Sequence, residues 1–317
     1  MFNCECFTID VSVQNEKPFV EREKKSVLRF AKSRWWSLFS PSIMKADPFL
    51  FIYNNRLYLF YEEMPIGNGL GVIKMVSTND LHKWSKPVQI THEPQCHFSY
   101  PWIFEENGEV YMMPETGCDH NIRLYKATDN SLTRFEPYKI ILKRDRKYWD
   151  EIKFDYADSC IYKKNGMYYL FSSYYSQKKI YYLELYVSDR IDGGYKLHPA
   201  SPICIGNKYG RCAGSIIEHN GKIFRPAQDC VTVYGGQVHL LEIDELTPSS
   251  YKEHVVKNNL LPTETPLYRN GGHQLNFAEF KGKIVVATDL RYLCRFTLER
   301  VRIKILKLLH LKVNTPY

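Results

Sequence analysis

The chain has 317 residues, 44% hydrophobic, 15% aromatic and 25% charged, a balance that builds a soluble globular core and excludes disorder, collagen and coiled coil. Its net charge of +8 gathers at residues 21–34 and 291–312, so the folded body lacks the basic stripe of a nucleic-acid binder. No apolar run reaches the ~18–20 residues of a membrane span.

The start, residues 1–10, has no basic region followed by an apolar one, so no secretion signal is read there and a cytoplasmic location is expected. Nine cysteines, an odd number without CxxC pairs, read as free thiols rather than a disulfide scaffold or zinc site. With 24 Tyr and 17 Phe, the composition favours strands.

From residue 47 onward five segments share one layout, opening at Asp47, Tyr100, Asp158, Ala213 and Gln274. In each, a two-residue turn follows at offsets +7 and +8: Asn54-Asn55, Asn107-Gly108, Asn165-Gly166, Asn220-Gly221 and Lys281-Gly282. Asn-Gly suits a type I′ turn, which needs positive φ at both central positions, and a second apolar run follows every turn, so each segment predicts a β-hairpin. The openings lie 53, 58, 55 and 61 residues apart, room for about four short strands per unit. A third strand is readable in four units, ending near Asp80, Asp129, Asp189 and Asp244. Five four-stranded units repeated radially predict an all-β, five-bladed β-propeller over residues 45–292. The last unit is too short for its outer strands, so residues 1–44, including Val11, Val13 and Phe19, are expected to complete or pack on the closing blade.

Residues 293–317 form the third segment. Leu298, Val301, Ile305, Leu308 and Leu309 fall on one helical face and Arg300, Arg302, Lys304, Lys307 and Lys312 mostly elsewhere, the pattern of a C-terminal basic amphipathic helix. Such a tail docks on the propeller or makes peripheral contact with an anionic membrane, here the inner face.

A turn at +7 and +8 puts offset 0 opposite offset +15, pairing Asp47 with Glu62, Tyr100 with Glu115, Asp158 with Ser173, Ala213 with Gln228 and Gln274 with Asp289. With the first strand innermost, these positions ring one mouth of the central channel, joined by Glu63, Arg211, Asp229 and His273. Carboxylates brought together out of water raise one another's pKa, an arrangement suited to acid/base chemistry, sugar hydroxyls or a cation. Each carboxylate taken alone is as well read as a strand-end cap or an ion-pair partner.

At these residues the sequence resembles the five-bladed propellers of glycoside hydrolase family 43 and its relatives: Asp47-Pro48, Tyr100-Pro101, Asp158-Ser159, Ala213-Gly214-Ser215 and Gly272-His273 stand where that family opens its blades. The resemblance implies Asp47 as general base, Asp158 as the group that tunes pKa and orients the sugar, and His273 as an axial residue holding a cation or water, with no other cofactor or metal required. It departs at the fourth blade, where Ala213 replaces the family's general acid, so Glu115 or Glu62 becomes the candidate proton donor. A closer resemblance is to the propeller at the N-terminus of glucosamine inositolphosphorylceramide transferases and in stand-alone bacterial proteins, through Ala46-Asp47-Pro48, Tyr61-Glu62-Glu63, Ser99-Tyr100-Pro101, Pro114-Glu115-Thr116, Arg211-Cys212-Ala213-Gly214, Arg225 to Asp229 and Gly272-His273.

The expectation is a carbohydrate-active propeller acting on a glycosidic bond, by hydrolysis or transfer, in bacterial surface-polysaccharide metabolism. Asp47, Glu115, Asp158 and Glu62 are its catalytic candidates. Tyr100, Arg211, Gln228, Asp229, His273, Glu63 and Asp289 are its substrate-binding candidates, with Tyr100 and Trp102 as stacking surfaces and Arg211 suited to an acidic group. The partner expected is an oligosaccharide, polysaccharide, sugar nucleotide or lipid-linked glycan, and no nucleic acid. The competing class is a glycan-binding module without chemistry, or a scaffold for a membrane-associated glycosyltransferase.

Overall fold

The computed structural model describes residues 3–32, 43–65, 70–93, 96–116 and 120–295, with Val301, Lys304, Ile305, Leu308 and Leu309 beyond them. Strands β1 (Asn3–Gln14) and β2 (Lys25–Arg29) come first. Blade one is β3 (Ile43–Tyr53), β4 (Arg56–Pro65), β5 (Val72–Thr78) and β6 (Val88–Gln89), and blade two is β7 (Ser99–Glu106), β8 (Glu109–Glu115), β9 (Asn121–Ala127) and β10 (Phe135–Lys143). A 3₁₀ turn at Arg146–Glu151 leads into blade three, made of β11 (Ile152–Lys164), β12 (Met167–Ser176), β13 (Tyr181–Ser188) and β14 (Lys196–Leu197), with β15 (Cys204–Ile205) also on β13. Blade four is β16 (Ile217–His219), β17 (Lys222–Asp229), β18 (Gln237–Leu246) and β19 (Tyr251–Lys257). Blade five has the order β2-β1-β21-β20, where β20 is Leu275–Phe280 and β21 is Lys283–Arg295. The fold is an all-β five-bladed propeller, and the first strands of the chain form the outer half of its last blade.

Local chemistry accounts for the hairpins. All five predicted turns carry positive φ at both central residues, from 49° and 58° at Asn54 and Asn55 to 51° and 72° at Lys281 and Gly282. That is the type I′ geometry whose twist matches the flanking strands. Between blades the filling is aromatic: Phe60 of blade one meets Phe135 of blade two edge-on at 6.1 Å, and Phe171 of blade three meets Tyr251 of blade four at 6.0 Å.

The register departs from the simple count by one residue in three blades and by two in a fourth. Glu62 stands opposite Ala46, Glu115 opposite Ser99 and Ser173 opposite Ala157, one residue from the predicted partners. The cause is a β-bulge at the same place in each innermost strand, marked by positive φ at Asp47 (53°), Tyr100 (44°) and Asp158 (51°). The inner hairpin of blade five has no bulge and keeps the predicted pairing, with the Asp289 amide donating to Gln274 O at 3.2 Å. In blade four the innermost strand is short and Cys212 makes only an isolated bridge to Ala227, so the Ala213 amide donates to Pro226 O at 3.0 Å and Ala213 does not stand opposite Gln228 as expected.

Two further expectations need comment. Cys96, Cys160, Cys204, Cys212 and Cys230 are free thiols, as expected, but Cys6 is disulfide-bonded. Most of the expected tail helix lies outside the described residues. No helix among the described residues is long and apolar enough to cross a membrane.

Arg225 of β17 is wholly buried, donating through Nε and Nη2 to Glu253 at 2.8 and 2.6 Å and through Nη1 to Tyr209 O at 3.0 Å. It thereby anchors the segment leading into Arg211. Arg225→Met alone is expected to cost about 3–5 kcal/mol in urea unfolding, because it strands a buried carboxylate, whereas Arg225→Met with Glu253→Leu recovers most of the loss.

Candidate active site on the propeller axis

The three bulges turn Asp47, Tyr100 and Asp158 toward the axis, and a left-handed φ at a non-glycine residue costs ~1–3 kcal/mol. Hydrogen bonds between blades offset that cost. Asp47 Oδ2 accepts from the Tyr100 amide at 3.1 Å and Glu115 Oε2 from the Asp158 amide at 3.0 Å, so the bulges of blades two and three are each capped by a carboxylate of the blade before. On blade five, Asp289 Oδ1 accepts from the amides of His273 (2.7 Å) and Gln274 (3.0 Å). Tyr100 reaches across the channel, its hydroxyl bonded to Gly214 O at 2.9 Å and to the Gly214 amide at 3.0 Å.

A second set of contacts ties the side chains together. Arg211 Nη2 donates to Asp158 Oδ1 at 3.0 Å while its Nε meets Oδ2, and Nη2 lies 3.7 Å from Glu115 Oε2. Gln228 Nε2 donates to the same Asp158 oxygen and to Cys212 O at 2.8 Å. His273 lies between two carboxylates, with Nδ1 against Asp289 and Nε2 at 3.4 Å from Asp47 Oδ1. Ligand atoms of Asp47, His273 and Asp289 all fall within 4.8 Å of one another, a mixed donor set that suits water or a divalent cation.

Burial decides the electrostatics. Asp47 is pushed up to about 7, chiefly by loss of water and then by Asp158 and Asp289, with His273 opposing. Glu115 is pushed up to about 8 by burial and by Asp158 against the pull of Arg211, and Glu62 is raised by burial with Asp47 and Glu115 adding to it. Burial alone would hold the His273 ring neutral, but Asp289, with Asp47 and Asp158 behind it, raises the pKa instead. A carboxylic acid protonated at neutral pH thus stands near a carboxylate able to ionise there, the separation that acid/base catalysis uses.

The predicted set is not all at this place. Asp47, Glu62, Tyr100, Glu115, Asp158, Arg211, Gln228, His273 and Asp289 meet there, whereas Glu63 and Asp229 do not. Each follows an inward-facing strand residue and so faces the other way: Glu63 pairs with Lys74 at 2.5 Å and Lys45 at 3.5 Å, and Asp229 with His239 at 3.0 Å. Tyr100, wholly buried with its hydroxyl spent on Gly214, offers no ring to a sugar, and Trp102 belongs to the core. Arg211 is engaged by Asp158 and, at 3.1 Å, the Tyr181 hydroxyl, with Glu115 at 3.7 Å, so its charge is already matched within the cluster.

Sequence reasoning missed Phe7 and Tyr234. Phe7, from β1, stacks on the His273 ring at 4.2 Å, and Tyr234 meets that ring edge-on at 5.1 Å. The loop carrying Tyr234 fits closely because Gly235 has φ of 64° and a Cβ there would lie 2.9 Å from His273 Cβ. The Gly235-Gly236 pair was the available signal. Among the described side chains at the axis, Glu115 and Arg211 keep 15% and 13% exposure while Asp158 and Asp289 keep 2% and none.

Comparison with known proteins agrees with this fold. The solved family 117 glycoside hydrolase Zg3597 of the marine bacterium Zobellia galactanivorans superposes with a TM-score of 0.56 at 13% identity, over 81% of this chain and 88% of that one. The family 43 protein BlXynB of Bacillus licheniformis gives 0.51 at 19% identity, over 70% and 44%. At such identities the likeness is one of fold. In sequence, the chain is 30% identical over 242 residues to glucosamine inositolphosphorylceramide transferase 1 of Oryza sativa subsp. japonica, covering 75% of this chain and 31% of that protein. It is 31% identical over 218 residues to the Arabidopsis thaliana protein of that name, covering 67% and 27%. The chain spans about a third of the length of these relatives. Residues 30–279 match the family described as glucosamine inositolphosphorylceramide transferase 1, N-terminal, and this propeller belongs to that family.

Proposed function

We propose that the axial cluster acts on a glycosidic bond, by hydrolysis or transfer, with Asp47 as general base and Glu115 as proton donor. The observation that carries this reading is the pair of buried carboxyls pushed up to about 7 and about 8 within one hydrogen-bonded belt. Asp158, fixed by Arg211 and Gln228, tunes both. Glu62, its pKa raised chiefly by burial, is the reserve donor. His273 holds a water or cation against Asp47, and Gln274 Oε1 and Ser173 Oγ, buried without a partner, are further acceptors there. The substrate is a glycan, polysaccharide, sugar nucleotide or glycolipid, and bacterial surface-polysaccharide metabolism is its setting. The cytoplasm, at the inner membrane face, goes with that setting; the Cys6 disulfide stands against it, because such bonds persist mainly in oxidising compartments.

A binding module without chemistry is the second reading, favoured by Ala213 at the fourth-blade position and by the depth of the carboxylates. Aryl glycosides, and sugar nucleotides offered with an oligosaccharide acceptor, separate the two by presence or absence of turnover. The pH profile adds a signed expectation. Activity rises as Asp47 ionises through about 7 and falls as Glu115 loses its proton through about 8, leaving a narrow optimum between. A profile flat from pH 5 to 9 contradicts it.

A further inference from the structure

Between blades two and three lies a second site, a cleft of ≈380 Å³ lined by Tyr148, Tyr156, Tyr174, Tyr186, Leu197 and Arg144 among others. Its floor is preorganised. The Arg144 guanidinium donates to Asp155 from Nε (3.1 Å) and Nη2 (2.7 Å), and to Glu184 from Nη1 (3.1 Å) and Nη2 (2.8 Å). It packs against the faces of Tyr156 and Tyr174, at 4.7 and 5.1 Å from their centroids. The Tyr186 hydroxyl donates to Glu184 Oε2 at 2.7 Å. The rim is open, with Tyr148 45% and Leu197 54% exposed.

We propose that this cleft binds a neutral saccharide as a second carbohydrate site, independent of any chemistry at the axis. Its volume falls within the ~300–1,000 Å³ usual for small-molecule sites, and aromatic walls with a few fixed polar groups are the usual lining. The exposed Tyr148 ring packs on the C–H face of a sugar ring, and the carboxylates of Asp145 and Glu151 accept from its hydroxyls. Charge selects against acids: Arg144 is spent on two carboxylates, and the lining carries Asp145 and Glu151 beside Lys143. A phosphate or uronate finds no unspent guanidinium, and an amine finds Asp155 and Glu184 already paired. The cleft shares strands with the axis, because Tyr156 precedes Asp158 by two residues on β11 and Tyr174 follows Ser173 on β12. A glycan with one ring in this cleft is thereby held on the blade that carries Asp158.

The test is calorimetric titration of the full chain with cellotetraose, xylotetraose and maltotetraose, beside tetragalacturonate and the tetramer of glucosamine. Saturable binding of at least one neutral tetrasaccharide is expected. It should weaken at least about tenfold in Tyr148→Ala and in Leu197→Asp, whose side chains stand exposed on the rim, and persist in Asp47→Asn. The absence of binding by all three neutral tetrasaccharides overturns the proposal, as does affinity unchanged in both rim variants or tighter binding of the acidic or amino tetramer. Binding by a wild-type chain that turns no glycan over would count against the axial reading alone.

Discussion

Asp47→Asn and Glu115→Gln are each expected to lower turnover by ~10²–10⁴-fold while changing glycan affinity little, the contribution of a positioned proton-transfer group. An amide keeps the shape of the carboxyl and an oxygen to accept from the Tyr100 or Asp158 amide, so the bulges stay capped and the belt stays closed. What it loses is the exchangeable proton. Steady-state kinetics on folded variants check this. Full activity in either variant removes that residue from the chemistry, and a wild-type protein that binds glycans but turns none over leaves only the recognition reading.

The second large effect is on folding. Deleting residues 1–14 should abolish cooperative unfolding, because β1 pairs with β21 from Asn3–Arg295 to Gln14–Ile284 and closes the ring. It buries Cys6, Phe7, Ile9 and Val11, and four such side chains at ~1.5–3 kcal/mol each rival the ~5–15 kcal/mol that holds a whole domain. It also carries Asp10, whose Oδ1 accepts from Ser26 (2.8 Å) and Arg29 (2.7 Å) of the next strand. Near-ultraviolet circular dichroism and a thermal melt decide the matter: a truncated chain with a native spectrum and a sharp transition would show that blade five closes without β1.

The hairpins were legible because their turns are chemical: asparagine and glycine take the positive φ that a type I′ turn demands, and each occurrence repeats at the same offset. The bulges were not, because Asp47, Tyr100 and Asp158 take a left-handed φ against their intrinsic preference, and the interblade hydrogen bonds that offset the cost join residues 43 to 53 positions apart. The inward ring survived the slip because the bulge moves the register and the side chain together. Glu63 and Asp229 could have been set aside from sequence, since neighbours on a strand face opposite ways. Phe7 could not, because its place against His273 depends on the first strand joining the last blade. Ala213, by contrast, marked from the outset the blade whose inner strand is shortest.

Carboxyl ¹³C shifts of the aspartates and glutamates followed from pH 3 to 10 test the account most directly. Two carboxyls titrating near neutrality, one lost in Asp47→Asn and the other in Glu115→Gln, are the expected result, against ~3.9 and ~4.3 for unperturbed Asp and Glu. If every carboxyl in the protein titrates below about 5, no proton donor stands beside a base on this axis, and the acid/base reading fails.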